Sequence, residues 1–212
     1  MDRQRLIEIA SAEMADSKVQ PTRERGYIYH HGRRVAALAE QLAATLDTSL
    51  NVSADCVFAA GLFHDLAKGT EPHHTLGAEK ARPLLAGEMT PDELEAVLEM
   101  IAHHNQRDKP NPYPDHVKLI QDADILDHYG AQNVWLVFLL AAHHEDPPQR
   151  AAEVYRRKYT PAFVNKIRSL LSFPASVAEF DERLAFERSL FERLEAENVG
   201  DLISLQPGVT KN

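Results

Sequence analysis

The chain has 212 residues, of which 44% are hydrophobic and 26% are charged, a size that suits one large domain with a substantial core. Its formal net charge of −9 argues against a protein that follows a nucleic-acid backbone, since phosphate tracking requires a basic surface. The single cysteine, Cys56, excludes an intrachain disulfide and suits a reducing compartment. The sequence shows no apolar stretch of transmembrane length and no signal-peptide pattern. We therefore expect a cytoplasmic protein that contacts neither membranes nor nucleic acid.

Apolar residues recur at helical spacing along most of the chain, and no segment alternates with period two over a useful length. Thr90-Pro91-Asp92-Glu93 indicates a helix start, with a capping box and a proline at the first helical position. Residues 131–144 are nearly all apolar and are predicted to form the central core helix, with Trp135 and Phe138 in the core.

In chain order, helices are predicted over residues 2–16, after His31, after Ser53 as far as His64-Asp65, over 74–86, from Pro91 to His103-His104, from about Asp115 through Asp124, over 131–144, from Pro161, and over 175–197.

These elements predict an all-α helical bundle in a single domain over residues 1–200. Residues of about 27–130 would form a metal-binding core, and residues of about 150–200 would form a helical extension packed on it. Residues 201–212 are predicted to be a flexible tail. The amphipathic final helix can pack on its own core or on a partner, so the sequence leaves a homo-oligomer open.

The pair His64-Asp65 interrupts an apolar run from Ala60 to Ala67 that is otherwise typical of a buried helix. Burying an unpaired carboxylate costs several kcal/mol, and a cation at the same place would turn that cost into binding energy. A hydrogen-bonded structural pair would be the simpler interpretation if the two residues stood alone. Further candidate ligands lie near the ends of other predicted helices: His31, His74, His103, His104 and Asp124.

Five imidazoles and two carboxylates suit Fe, Mn, Co, Ni or Zn, and suit Mg alone less well. One metal ion takes about four protein ligands, so this set fits two ions, with Asp65 able to bridge them. The absence of thiolates argues against a structural zinc finger. We therefore predict a divalent transition-metal cofactor, bound as two ions.

Three ordered motifs carry a resemblance to a known family. They are His31-Gly32-Arg33-Arg34-Val35, His64-Asp65-Leu66-Ala67-Lys68 and Ala123-Asp124-Ile125-Leu126. They resemble the first motif, the signature His-Asp pair with its trailing lysine, and the final aspartate motif of the HD-domain superfamily of metal-dependent phosphohydrolases. The resemblance covers roughly residues 27–130. It implies that His31, His64, Asp65 and Asp124 bind a first metal ion.

Two more segments resemble binuclear members of that superfamily. His74-Thr75-Leu76-Gly77 is similar to their His-x-x-Gly element, and His103-His104 followed by Tyr113-Pro114 is similar to the paired histidines and Gly-Tyr-Pro of the HD-GYP group. Asn105 stands where that group has glutamate, and Asn111-Pro112 precede Tyr113 where a glycine is expected. The resemblance therefore does not imply that this chain is specific for cyclic dinucleotides. The resemblance implies that His74, His103 and His104 hold a second ion.

The resemblance also implies metal-assisted hydrolysis of a phosphoester or phosphoanhydride, with Asp65 as the bridging catalytic carboxylate. Lys68, one turn from His64, is predicted either to neutralise a substrate phosphate or to pair with Asp65. Arg107 and Lys109 are candidate substrate contacts, with solvated loop charge as the alternative interpretation.

Neighbouring histidines leave two ligand assignments open. His30 and His73 are alternatives to His31 and His74, and we favour His31 and His74. Other polar residues are expected to act indirectly: Asp127 and His128 as groups that orient ligands, Arg34 in a structural ion pair, and His143-His144 as a solvated helix end, with the edge of the pocket as the alternative.

Three functional classes follow from these features. The first is a hydrolase acting on a nucleotide or another small phosphorylated metabolite. The second is a mixed-valence di-iron oxygenase, a chemistry of some relatives in the same superfamily, with Tyr27 or Tyr29 near the metal ions. The third is a non-catalytic sensor module that binds a ligand, and the complete ligand set argues against it.

Overall fold

The computed structural model describes residues 1–46 and 50–202. These residues form α-helices and no strand, which confirms the predicted all-α fold. The tail expected over 201–212 lies outside the described residues from residue 203 onward. In chain order the helices are α1 (Arg3–Met14), α2 (Tyr27–Ala43), α3 (Ala54–Phe63), α4 (His73–Leu85), α5 (Pro91–His103), α6 (Asp115–Asp127), α7 (Ala131–His143), α8 (Pro148–Lys158), α9 (Pro161–Leu170) and α10 (Pro174–Asn198).

Helix α3 is the centre of the main core, since every residue from Cys56 to Phe63 is buried. Its first turn is capped by Ser53, whose hydroxyl accepts a hydrogen bond from the Cys56 N–H at 3.2 Å. A helix that is apolar on all sides has to be surrounded by other elements. Helices α1, α2, α5 and α6 all pack against α3.

The contact between α2 and α3 depends on two glycines. A Cβ atom on Gly61 would lie 2.6 Å from the Cα of Ala36, and one on Gly32 would lie 2.4 Å from the carbonyl oxygen of Leu62. Both neighbours are backbone atoms, so no rotation of a side chain could relieve the overlap. The two helix backbones can therefore approach closely only because these positions lack a side chain.

Helix α5 begins as the sequence predicts. Thr90 and Glu93 form a reciprocal capping box, in which the Thr90 N–H donates to Glu93 Oε2 at 2.9 Å and the Glu93 N–H donates to Thr90 Oγ1 at 3.4 Å. The buried face of α5, which includes Leu94, Val97 and Ile101, points the end of the helix towards α3.

Helix α7 is not the central core helix that its composition predicts. Only Asn133, Val137 and Ala141 are buried along it, whereas Trp135 is 52% exposed and Phe138 is 36% exposed. Composition alone could not distinguish α7 from α3, because both are rich in apolar residues on every face. Helix α7 packs instead against α8 and α10.

A second, smaller hydrophobic cluster lies between α7, α8 and α10 and contains Val137, Ala141, Ala151, Ala152, Tyr155 and Phe191. Helix α8 has no counterpart among the predicted helices, because its short apolar face carries only two alanines and one tyrosine. Helix α10 joins the two clusters, since Phe180 and Leu184 belong to the main core and Phe191 to the smaller one. Within the described residues, no helix combines the length and the apolar character needed to cross a lipid bilayer.

The close approach of α2 and α3 can be tested by adding one methyl group. We expect Gly61→Ala to lower the free energy of unfolding by about 1–3 kcal/mol, because the new Cβ overlaps backbone atoms of α2 that cannot move independently. Urea denaturation followed by circular dichroism would measure the change. The matched control is Gly87→Ala, where a Cβ would meet no atom within 4 Å. Equal stabilities of the two variants would contradict the packing described here.

Candidate metal centre

Four buried side chains from three parts of the chain converge next to α3. His31 lies on α2, His64 and Asp65 directly follow α3, and Asp124 lies on α6. His31 Nε2 is 3.1 Å from His64 Nε2 and 3.0 Å from Asp124 Oδ1, and it is 3.8 Å from Asp65 Oδ2. Two imidazole nitrogens and two carboxylates that point at one small volume form a donor set suited to a transition metal.

The outer nitrogens of both histidines are held by hydrogen bonds. The Nδ1–H of His31 donates to Asp127 Oδ2 at 2.7 Å, and that of His64 donates to the Gly61 carbonyl at 2.8 Å. Arg34 donates to both oxygens of Asp127, at 2.7 and 2.9 Å. These contacts direct each Nε2 into the cluster, which is how proteins orient histidine ligands.

Asp65 also faces a second pair of histidines. Its Oδ1 lies 3.6 Å from His104 Nε2 and 3.5 Å from His73 Nε2. The Nδ1–H of His104 donates to the Ile101 carbonyl at 2.8 Å, so Nε2 is the nitrogen directed at Asp65. The carboxylate of Asp65 therefore lies between two groups of histidines, as a bridging ligand would.

The structure corrects the prediction for His74 and His103. Neither lies in the cluster: the nitrogens of His74 are 3.2 Å from Asn105 Nδ2 and 3.3 Å from Gln106 Nε2. The Nδ1–H of His103 donates to Gln106 Oε1 at 3.0 Å, while its ring stacks on Tyr113. Successive helix residues point about 100° apart, and in these two pairs His73 and His104 are the members that face inward.

Helical periodicity would have identified the inward member of the pair on α4. The buried positions of α4 recur every four residues: His73, Gly77, Ala81 and Leu85. This spacing includes His73 and excludes His74. At the end of α5, the buried Ile101 precedes the buried His104 by three residues. The buried Met100 precedes His103 by the same three residues, so spacing alone does not distinguish His104 from His103 on α5.

Three cationic residues were candidates for substrate contact, and the structure places two of them at the cluster. Lys68 Nζ is 3.2 Å from Asp65 Oδ2 and its side chain is 24% exposed. The Arg107 guanidinium pairs with Asp124, and its Nε–H donates to the His104 carbonyl at 3.0 Å. Lys109 lies elsewhere, with Nζ 3.4 Å from the Leu171 carbonyl and 3.3 Å from Ser172 Oγ. The candidate role of Lys109 in substrate binding therefore has no support in its position.

Three further histidines lie outside the predicted ligand set. His128 Nε2 is 3.4 Å from Asp124 Oδ1, and its ring centroid is 4.9 Å from that of His31. His128 thus adds an imidazole at the edge of the cluster. His143 and His144 lie at the end of α7, where His144 lines a surface cavity between α7 and α8.

The buried charges shift the pKa values of the cluster in opposite directions. Burial lowers the pKa of His31, but the hydrogen bonds to Asp124 and Asp127 outweigh it and raise the pKa to about 9. Burial alone would raise the pKa of Asp65 and of Asp124, but neighbouring histidines and cations hold both below their usual range. Burial lowers the pKa of His104 to about 4. Both carboxylates and His104 are therefore already in the protonation states that bind metal.

The residues present fit a divalent metal ion. Asp65 Oδ2 and His73 Nε2 are buried and form no hydrogen bond within the described residues; their contacts there are ionic, with Lys68 Nζ 3.2 Å from Asp65 Oδ2 and His73 Nε2 3.5 Å from Asp65 Oδ1. Groups of three donor atoms lie within 4.8 Å of one another in His31–His64–Asp65, His64–His104–Asp124 and Asp65–His73–His104. A cation in this cluster would bind both groups. The fold and the cluster together define an all-α domain built around a buried histidine–aspartate centre.

Comparison with known families identifies this domain. The HD domain family matches residues 28–129, a segment that contains every residue of the cluster. Residues 28–129 therefore form an HD domain. No curated protein sequence matches it at a significant level.

Solved structures with the same fold span nearly the whole chain. An HD-superfamily hydrolase from Bacillus thuringiensis has a TM-score of 0.65 at 21% identity, over 93% of this chain and 97% of its own. YpgQ of Bacillus subtilis in complex with ADP has a TM-score of 0.60 at 19% identity, over 92% and 98%. The Lin1889 protein of Listeria innocua has a TM-score of 0.62 at 18% identity, over 94% and 99%. The shared fold therefore includes the helices after the HD domain.

The inward and outward histidines predict different effects on metal content. We expect His73→Ala and His104→Ala to lower bound manganese from about two equivalents to about one, because both side chains face Asp65. His74→Ala and His103→Ala remove the adjacent residue of the same type and are the matched controls, with metal content unchanged. Elemental analysis of protein reloaded with Mn²⁺ would measure it. Loss of metal in the control variants, with full content in His73→Ala and His104→Ala, would place the second site elsewhere.

The raised pKa of His31 predicts that metal binding depends on pH. A metal ion on Nε2 has to replace the proton that His31 carries below about pH 9. We therefore expect the affinity for Mn²⁺ to increase about tenfold per pH unit from neutral pH until His31 loses its proton. Calorimetry in buffers of different ionisation enthalpy would also detect release of about one proton per ion bound. An affinity independent of pH in this range would show that His31 is not a ligand.

Proposed function

We propose that the protein is a metal-dependent phosphohydrolase that cleaves a phosphoester or phosphoanhydride of a nucleotide or another small phosphorylated metabolite. The observation that carries this proposal is the buried cluster of His31, His64, Asp65 and Asp124, with the partly exposed ammonium of Lys68 beside it. The HD domain supports the same chemistry, since the fold is that of HD-superfamily hydrolases.

The chain offers donors for one or two divalent ions. His31, His64, Asp65 and Asp124 would hold the first, and His73 and His104 would share Asp65 in holding the second. A bound divalent ion supplies an acidified water molecule and polarises the phosphoryl oxygens. Asp127 keeps the His31 ring oriented through the bond to Nδ1, so the ligand geometry is present before substrate arrives.

Lys68 and Arg107 are the cations best placed to bind a substrate phosphate. Both contact a carboxylate of the cluster and both reach the protein surface, with side-chain exposures of 24% and 18%. Since the protein has a net charge of −9, attraction of an anionic substrate depends on local positive charge of this kind. Lys68 acts as a mobile point charge, whereas Arg107 is held by Asp124 and the His104 carbonyl and offers its remaining guanidinium nitrogen, Nη1.

The nucleotide class is supported by one structural relative. YpgQ of Bacillus subtilis, which shares the fold, has been crystallised in complex with ADP. We extend this to the present chain as a proposal for a nucleotide substrate, with other small phosphorylated metabolites as the broader class.

A substrate panel would test the proposed activity. We expect protein stripped of metal and reloaded with Mn²⁺, Fe²⁺ or Co²⁺ to release phosphate or nucleoside from one class among nucleotides, dinucleoside polyphosphates and cyclic dinucleotides. Asp65→Ala should abolish turnover, because Asp65 faces both groups of histidines. Asp92→Ala removes an exposed carboxylate at the start of α5 and should leave turnover unchanged.

The same panel separates the alternative functions. No turnover of any substrate, together with two bound irons and oxygen consumption, would favour a di-iron oxygenase. In that case Tyr27, which stacks on His31, would lie next to the centre. Stoichiometric ligand binding without turnover or oxygen consumption would indicate a sensor module. Unchanged turnover in Asp65→Ala would contradict the assignment of the site.

A further inference from the structure

A second cavity lies behind the metal cluster, on the far side of Asp127. Its volume is about 340 Å³, at the lower end of the range for small-ligand sites. It is bounded by α2, by the corner between α6 and α7, and by α10, with Arg34 from α2 and Arg183 from α10 in its wall. Among the described residues of this wall the only carboxylate is Asp127, and Glu179 contacts Arg183 from outside the wall.

Each arginine has one guanidinium nitrogen without an acceptor among the described residues. Arg34 uses Nε and Nη2 to hold Asp127, which leaves Nη1. Arg183 donates from Nε to Glu179 Oε1 at 2.6 Å and from Nη1 to the Leu126 carbonyl at 2.8 Å, which leaves Nη2. The pairing with Glu179 is on the surface, where solvent screens it. Both arginines are thus fixed in place by protein contacts while retaining a donor.

The rest of the polar wall is formed by the start of α7 and by two glutamines, of which Gln41 donates to the Ala37 carbonyl at 3.1 Å. Helix α7 begins here at its N-cap Gly130, whose N–H donates to the buried Glu187 Oε1 at 2.5 Å, so the donors left for a ligand are mainly those of the two arginines. Gln41 and Gln132 contribute amide groups to the same wall. Gly130 also permits the approach of Arg183, because a Cβ there would lie 3.2 Å from Arg183 Cγ.

We propose that this cavity is a second ligand site, separate from the metal cluster, and that it binds a small phosphate-bearing anion between Arg34 and Arg183. Two arginines from different helices present rigid, charge-assisted donors, which match the oxygens of a phosphate group. This inference does not depend on the hydrolase activity.

The site is also connected to the metal cluster by direct contacts. The Arg34 guanidinium that faces the cavity donates hydrogen bonds to Asp127, and Asp127 accepts the hydrogen bond that orients His31. An anion that also binds Arg34 would weaken the hydrogen bonds between Arg34 and Asp127. The cavity is therefore placed where its ligand could regulate the centre rather than take part in the reaction.

The test uses inorganic phosphate as the probe and a protein that lacks a functional metal centre. Asp65→Ala, treated with chelator, removes phosphate binding that requires metal. We expect it to bind one equivalent of phosphate, measured by calorimetry and by ³¹P NMR. Adding Arg183→Gln should weaken binding about tenfold or more, because a charge-assisted donor is lost.

Arg193→Gln in the same background is the matched control. Arg193 lies on α10 and donates to Glu197 Oε1 at 2.7 Å, as Arg183 does to Glu179, but it is absent from the cavity wall. It should leave phosphate binding unchanged. If Arg183→Gln fails to fold, Gln132→Glu places a carboxylate in the cavity without removing a contact of Arg183, and it should also weaken binding about tenfold.

Two results would overturn the proposal. The first is no phosphate binding to Asp65→Ala, which would confine anion binding to the metal centre. The second is equal affinity in the Arg193→Gln protein and in the folded cavity variant, Arg183→Gln or Gln132→Glu.

Discussion

The backbone contact between α2 and α3 determines where the metal ligands meet. His31 precedes Gly32, and His64 follows Gly61 by three residues, so each histidine lies next to a glycine at which the two helices touch. The contact brings the two Nε2 atoms to 3.1 Å. Any residue with a side chain at either glycine would separate the helices and with them the two imidazoles. The geometry of the centre is therefore a property of the helix packing, and the loops contribute comparatively little to it.

Electrostatics then determines what the packed site can hold. Asp65, Asp124 and Asp127 are buried together, a combination that an apolar core could not tolerate without compensating positive charge. In the protein alone, His31, Arg34, Lys68 and Arg107 provide this charge through direct contacts. Asp65 Oδ2 and His73 Nε2 still form no hydrogen bond among the described residues. The buried charges are compensated well enough for the protein to fold, and the unused donor atoms are available to bind a cation. Both properties are expected of a preorganised metal site.

The sequence predicted the all-α fold and most residues of the cluster, and each feature that it did not predict has a physical reason. The motifs around His31, His64-Asp65 and Asp124 identified residues that do converge, and helical periodicity predicted an all-α protein. The preference for His74 rested on family resemblance, whereas the spacing of buried residues on α4 selects His73, the histidine that the structure places at the cluster. The position of α7 could not be predicted, since an apolar helix can be central or peripheral depending on which partners enclose it. The position of the Lys109 side chain could not be predicted, because the direction of a loop side chain depends on tertiary contacts.

The peripheral position of α7 has a practical consequence for spectroscopy. Trp135 is the single tryptophan of the sequence, and it lies half-exposed on α7, beside the smaller cluster formed with α8 and α10. Its fluorescence in the native protein therefore comes from an indole already in contact with water. The emission reports on the environment of the C-terminal helices. It carries little information about the histidine–aspartate centre, which is surrounded by α2, α3 and α6. Loss of order around that centre would leave the tryptophan emission almost unchanged while the far-ultraviolet dichroism decreased.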